Sequence, residues 1–137
     1  MWKLAIAIPV LLFPFVVYFV IEFYRADLAE NRVFAAWRVL GPQTVLTTEF
    51  YNDNDIPIAL RTKEEIAVYW FLEAARLDAK SSAAYYNLGK YFLSRDCQVA
   101  RQYFERHAAL IPNDEDTKRV LGAIELEGCK SAMLVLQ

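Results

Sequence analysis

The residues of this chain that could carry chemistry are few and widely separated. His107 is the only histidine. A histidine binds a metal only in company, because metal sites bring several ligands together, and no such group surrounds His107 in the sequence. We therefore interpret His107 as a packed or surface residue. We expect no catalytic residue, no metal site and no cofactor.

Two acidic clusters resemble cation sites only superficially. Residues 52–55 (NDND) lack the glycine and the terminal glutamate of a calcium-binding loop. Residues 114–116 (DED) are typical of the first turn of a helix, where carboxylates interact favourably with the positive end of the helix dipole. The phosphate-binding and nucleophile motifs G-x-x-x-x-G-K, G-x-G-x-x-G and G-x-S-x-G do not occur. The sequence predicts a protein that is not an enzyme and has no small-molecule substrate.

The two cysteines, Cys97 and Cys129, each begin a C-x2-A segment, 32 residues apart. Equivalent positions on neighbouring helices lie about 8–10 Å apart, whereas the Cα atoms of a disulfide lie about 4.4–6.8 Å apart. A bond therefore requires the two turns to lean together. A disulfide and a pair of buried thiols both remain open.

Composition allows one small domain with an unusual apolar segment. The chain has 137 residues, with 15 Lys and Arg against 17 Asp and Glu. It therefore lacks the basic excess that nucleic-acid binding requires, and we expect no nucleic acid partner. Residues 4–21 carry no charge, and as a helix they would span roughly 27 Å, close to the ~30 Å core of a bilayer. We expect a transmembrane anchor over residues 1–25 that contacts the bilayer through residues 4–21.

Pro9 and Pro14 predict a kink in this anchor. Whether the kink serves a contact or is only tolerated stays open. The flanking charges do not fix the orientation, but the short head before the apolar run favours a signal-anchor. We expect a single-pass membrane protein whose remaining residues are exported, into the periplasm if the membrane is a bacterial inner membrane.

Internal repetition organises the rest of the chain. A shift of 33 residues superposes Ala67 on Ala100, and it also superposes Leu88-Gly89 on Leu121-Gly122. Apolar residues follow helical spacing in both units. The pattern predicts an all-α fold in which each unit is a pair of antiparallel helices.

Residues 85–92 (YYNLGKYF), followed by Ala100, Phe104 and Pro112, resemble the tetratricopeptide repeat pattern W-x2-L-G-x2-Y…A-x3-F…P. Residues 67–75 are also similar to the related Sel1-like repeats. The resemblance implies a short array of helix pairs, an α–α superhelix.

The resemblance covers residues 62–137 and implies one complete repeat with two partial neighbours. Residues 26–61 are expected to form a juxtamembrane helix, ended by Gly41-Pro42, and a connecting loop. The tail at residues 133–136 (MLVL) is apolar where a capping helix is normally polar. It either completes the core of the domain or contacts a partner subunit.

In this family the first helix of each repeat lines a concave face, and the resemblance implies which residues that face displays for partner binding. Lys90 with Arg119 would clasp a carboxylate, and Asn87 would bind a peptide backbone. Tyr86 and Asp116 would lie beside them. The alternative is that these cations are simply solvated, as exposed cations usually are.

Two functions follow from this layout. The first is a non-enzymatic accessory or scaffold subunit that uses its repeats to bind other protein subunits of a larger membrane or envelope complex. The second is a membrane-anchored receptor that holds extended peptide or precursor segments on the concave face.

Overall fold

Helices account for most of the chain. The computed structural model describes the backbone of residues 2–136 and the side chains of residues 13–136. That part of the chain is all-α and contains no strand. Its helices are α1 (Trp2–Leu40), α2 (Thr48–Asp53), α3 (Lys63–Leu77), α4 (Ser82–Phe92), α5 (Cys97–Leu110), α6 (Glu115–Glu127) and α7 (Cys129–Val135).

The prediction of a transmembrane anchor, and with it the single-pass membrane location, is wrong. Among the described residues, no helix combines the length and the apolar character that crossing a membrane requires. The helix α1 continues past the apolar residues 13–21 into a charged stretch that begins at Glu22. The predicted residues 4–12, with the proline at position 9, lie outside the described side chains.

The helices pack as three consecutive pairs. The second half of α1 lies along α3, α4 lies along α5, and α6 lies along α7. Neighbouring pairs meet where α3 contacts α4 and where α5 contacts α6. The first pair is therefore more complete than the sequence indicated, because α1 runs unbroken through the predicted boundary at residue 25 and supplies its first helix.

A stripe of small residues makes this first pair possible. Ala29, Val33, Ala36 and Val39 follow helical spacing on α1 and are at most 4% exposed. Small side chains let α1 approach α3 closely, and the larger aromatic residues of α1 are left outside the contact. The stripe joins the buried face of α3 in one core.

The connection between α1 and α3 folds against this core. Thr47 caps α2 by accepting a hydrogen bond from the backbone of Phe50. The Phe50 ring lies edge-on to Trp70 of α3, with 6.4 Å between the ring centroids. The Tyr51 hydroxyl donates to the carbonyl of Leu60 at 2.7 Å. Residues 41–62 are thus an ordered cover for the first helix pair.

The 33-residue repeat is visible in the burial pattern. Ala67 and Ala100 are equivalent under the shift and are 1% and 0% exposed. Phe71 and Phe104 are also equivalent and are 3% and 0% exposed. These two pairs of equivalent positions are therefore core positions in both units.

Candidate protein-interaction surface

The predicted partner-binding residues lie on α4 and α6. Tyr86, Asn87 and Lys90 follow one another within two turns of α4. Asp116 and Arg119 lie in the first two turns of α6. Lys90 lies near Tyr86, and Asp116 pairs with Arg119. Asn87 is hydrogen-bonded within its own helix.

Tyr86 packs against α5, beside the ring of Phe104. Its half-buried ring lies 5.2 Å from the ring of His107, centroid to centroid. Burial raises the pKa of its hydroxyl, and the nearby charges of Asp116 and Asp114 raise it further. The Tyr86 hydroxyl therefore lies within electrostatic reach of the first turn of α6.

Asn87 and Lys90 border a cavity of about 270 Å³. The Asn87 amide nitrogen donates to the carbonyl of Ala83 in its own helix at 2.8 Å, so its amide oxygen and its second N–H remain available to a partner. The Lys90 ammonium is exposed and lies 5.8 Å from the centroid of the Tyr86 ring. The rest of the lining is mostly apolar and comes from the end of α1, from α3 and from α4: Leu40, Glu64, Ala67, Val68, Phe71 and Tyr91.

Asp116 and Arg119 form an ion pair with each other, one turn apart on α6. Both side chains are more than half exposed, so this pair adds little to stability. Because Arg119 already has a carboxylate, Lys90 is the only one of the two predicted cations without an ion-pair partner among the described residues. A joint clasp would require Arg119 to leave Asp116.

His107 bridges two helix pairs. It is 8% exposed, and its Nδ1 lies 2.9 Å from the carbonyl oxygen of Ser82 at the start of α4. A carbonyl only accepts, so Nδ1 is the donor in this hydrogen bond. Nε2 lies 3.2 Å from the carboxylate of Asp114. These contacts join α5 to α4 and to the beginning of α6.

Asp114 caps the N-terminus of α6 through Thr117. Its carboxylate accepts the Thr117 backbone N–H at 3.1 Å and also the Thr117 hydroxyl. These hydrogen bonds, the hydroxyl first, and the proximity of His107 lower the pKa of Asp114, although burial opposes the shift. The network holds the start of α6 in place.

Cys97 and Cys129 form a disulfide whose Cα atoms are 5.6 Å apart. They are the first residues of α5 and α7. The first residues of α5 and α7 therefore lie closer together than the about 8–10 Å that normally separates packed helices. The bond fastens the last helix pair to the one before it.

A larger groove was not anticipated from the sequence. It has a volume of about 400 Å³ and lies between α1 and the turn that joins α3 to α4. Phe34 and Trp37 of α1 form part of its wall, with ring centroids 5.8 Å apart. They are 56% and 45% exposed. The sequence signal for their exposure is the neighbouring row of alanines and valines, which packs against α3 in their place.

No group of three His, Cys, Asp or Glu side chains is arranged as metal ligands in the part of the chain that the structure describes. Comparison with protein-family models, with curated proteins and with solved structures finds no match. The resemblance to tetratricopeptide repeats therefore stays a prediction.

Proposed function

We propose that this chain is a non-enzymatic interaction module that holds other proteins, as an accessory or scaffold subunit of a larger complex. The observation that carries the proposal is the pair of cavities beside α4, of about 400 and 270 Å³. Apolar cavities with a few polar groups at their edges are the usual form of a binding site. One cavity adjoins the beginning of α4 and the other adjoins its end.

The last helix pair supports a subunit role. Leu126 of α6 and Leu134 of α7 are 83% and 69% exposed, whereas stacked helical arrays normally end in a polar cap. Ala132 of the same tail is fully buried. The tail therefore contributes to the core and also presents apolar surface that a neighbouring subunit can cover.

A receptor for extended peptides is the second candidate. Asn87 and Lys90 favour it, because they lie on the smaller cavity with an amide oxygen and an ammonium group available. These groups can meet a peptide N–H and a carboxylate. A receptor binds and releases its peptide, whereas a subunit stays with its complex.

Isolation of the tagged full chain from its own cells separates the two functions. A stoichiometric companion that survives high salt supports the subunit. If Lys90→Glu with Arg119→Glu abolishes a transient interaction and the companion remains, the receptor is supported instead. Lys118→Glu with Lys130→Glu is the matched control, since it also reverses two exposed cations, both outside the predicted set. A chain with neither kind of partner overturns both.

A further inference from the structure

We propose that the larger groove binds a basic amphipathic helix of a partner protein. We call it the α1 groove and define it by Asp27, Glu30, Phe34 and Trp37 of α1 and by Asp78 and Ser82 on the opposite side. The inference rests on the proposed function as an interaction module and names the class of partner. It concerns a surface distinct from the residues predicted on α4 and α6.

The floor and one wall of the α1 groove suit a large apolar side chain. Val33 lies in the floor and is 4% exposed. Phe34 and Trp37 stand beside it with about half of their surface in solvent. Exposed aromatic residues next to a well-packed floor are the groups that most often dominate binding at interfaces. Covering them removes apolar surface from water without any rearrangement of α1.

The rim of the α1 groove is acidic. Asp27 and Glu30 lie one turn apart on α1, and Asp78 lies across the groove. None of these carboxylates forms an ion pair with another described side chain. Asp27 accepts only from the amide of Asn31, and Asp78 accepts the backbone N–H of Lys80.

Lys80 is the one cation in the lining, so three carboxylates face one ammonium group. Their field attracts cations and opposes acidic partners. Lys or Arg side chains that flank an apolar residue would pair with the rim while the apolar residue enters the groove. The chemistry of the rim therefore selects a basic partner.

The shape of the groove favours a helix. The α1 side of the lining extends from Phe23 to Trp37, which corresponds to about 21 Å of helix. A helix of about four turns matches this length, and an amphipathic helix in a groove is a recurrent mode of recognition. The described residues offer no strand edge to which an extended peptide could add.

Two synthetic helical peptides test the inference by titration calorimetry against the full chain. One contains Leu and Lys in an amphipathic pattern, and the other has Glu in place of Lys. We expect the Leu–Lys peptide to bind at least about tenfold more tightly than the Leu–Glu peptide, because the rim charges attract one and repel the other. We expect raised salt to narrow this difference, since screening weakens exposed charges.

Two variants locate the binding. Asp27→Lys with Glu30→Lys should lower the affinity for the Leu–Lys peptide by about tenfold or more. Ala26→Trp should block the groove while leaving the rim charges in place. Glu125→Lys with Glu127→Lys is the matched control, because it makes the same charge change on exposed positions of α6. Circular dichroism and thermal unfolding verify that each variant keeps its fold.

Three results would each overturn the proposal that the α1 groove binds a basic helix. They are equal affinity for both peptides, undiminished binding to Ala26→Trp, and the same loss of affinity in the α6 control. Absence of binding by either peptide would do so too. These outcomes are separate from the isolation experiment on the cellular partner. A companion protein that binds Ala26→Trp as well as the unaltered chain leaves the scaffold proposal standing while the groove proposal fails.

Discussion

A Cβ atom at Gly89 would lie 2.9 Å from three carbon atoms of the Phe104 ring. Helices α4 and α5 therefore approach so closely at this point that only a hydrogen atom fits. Gly122 occupies the equivalent place on α6, but a Cβ there would meet nothing within 4 Å. The same residue type is thus required in one helix pair and is unconstrained by contacts in the next.

This difference predicts opposite effects of one substitution. Gly89→Ala should lower the free energy of unfolding by about 1–3 kcal/mol, because Phe104 is fully buried and cannot move away without strain. Gly122→Ala should raise it by about 0.5–1 kcal/mol through helix propensity alone. Urea unfolding of the two variants and the unaltered chain measures both. Similar effects of the two substitutions would contradict the close contact.

Helices α4, α5 and α6 could be predicted from the sequence because their apolar spacing and the repeated Leu-Gly are local signals. The difference between Gly89 and Gly122 could not, since it depends on what α5 and α7 place opposite them. α7 ends at Val135, and no bulky side chain reaches Gly122. Local periodicity does not report such a contact.

The face of α1 that packs against α3 could not be predicted from the sequence either. Phe34 and Trp37 and the small stripe beside them have compatible spacing, and only the position of α3 decides between them. The ion pair of Asp116 with Arg119 is different, because its three-residue spacing on one helix is a recognisable signal. This spacing alone indicates that Arg119 pairs with Asp116 and is not available to bind a partner's carboxylate together with Lys90.

Loss of the disulfide should destabilise the chain strongly. Cys97 and Cys129 are separated by 32 residues, and closing a loop of this length stabilises a fold by about 3–4 kcal/mol in the chain-entropy description. The double substitution to alanine, or a reducing agent, should lower the urea midpoint accordingly. The double variant itself should not respond to the reducing agent. Equal midpoints with and without reducing agent in the unaltered chain would count against the bond.

The decrease in the free energy of unfolding at acid pH should depend on Asp114. Its pKa is lowered in the folded chain, mainly by the Thr117 hydroxyl, so the ionised carboxylate stabilises the fold. This contribution is fully present above about pH 4 and is lost as the pH falls through the lowered pKa.

Asp114→Asn should therefore be less stable than the unaltered chain at neutral pH, with the difference shrinking in acid. Asp53→Asn is the control, since Asp53 is an exposed carboxylate without a side-chain hydrogen bond in the described structure. Urea titrations between pH 2 and pH 7 measure the difference. A constant difference across this range would show that the charge of Asp114 does not contribute.

His107→Ala should weaken the fold without affecting partner binding. The substitution leaves the carbonyl of Ser82 and the carboxylate of Asp114 without the imidazole that lies between them. Loss of hydrogen bonds to buried groups costs about 1–3 kcal/mol. Thermal unfolding measures the first effect and peptide titration the second. Loss of binding by a variant that is folded at the assay temperature would assign His107 a functional role.

The mass of the full chain, isolated from its own cells in high salt, tests the interaction role most directly. Light scattering on the purified material gives this mass independently of shape. We predict a mass well above the 15.8 kDa of the chain, accounted for by a different protein in fixed proportion. A homogeneous 15.8 kDa monomer with no companion would contradict the proposed function.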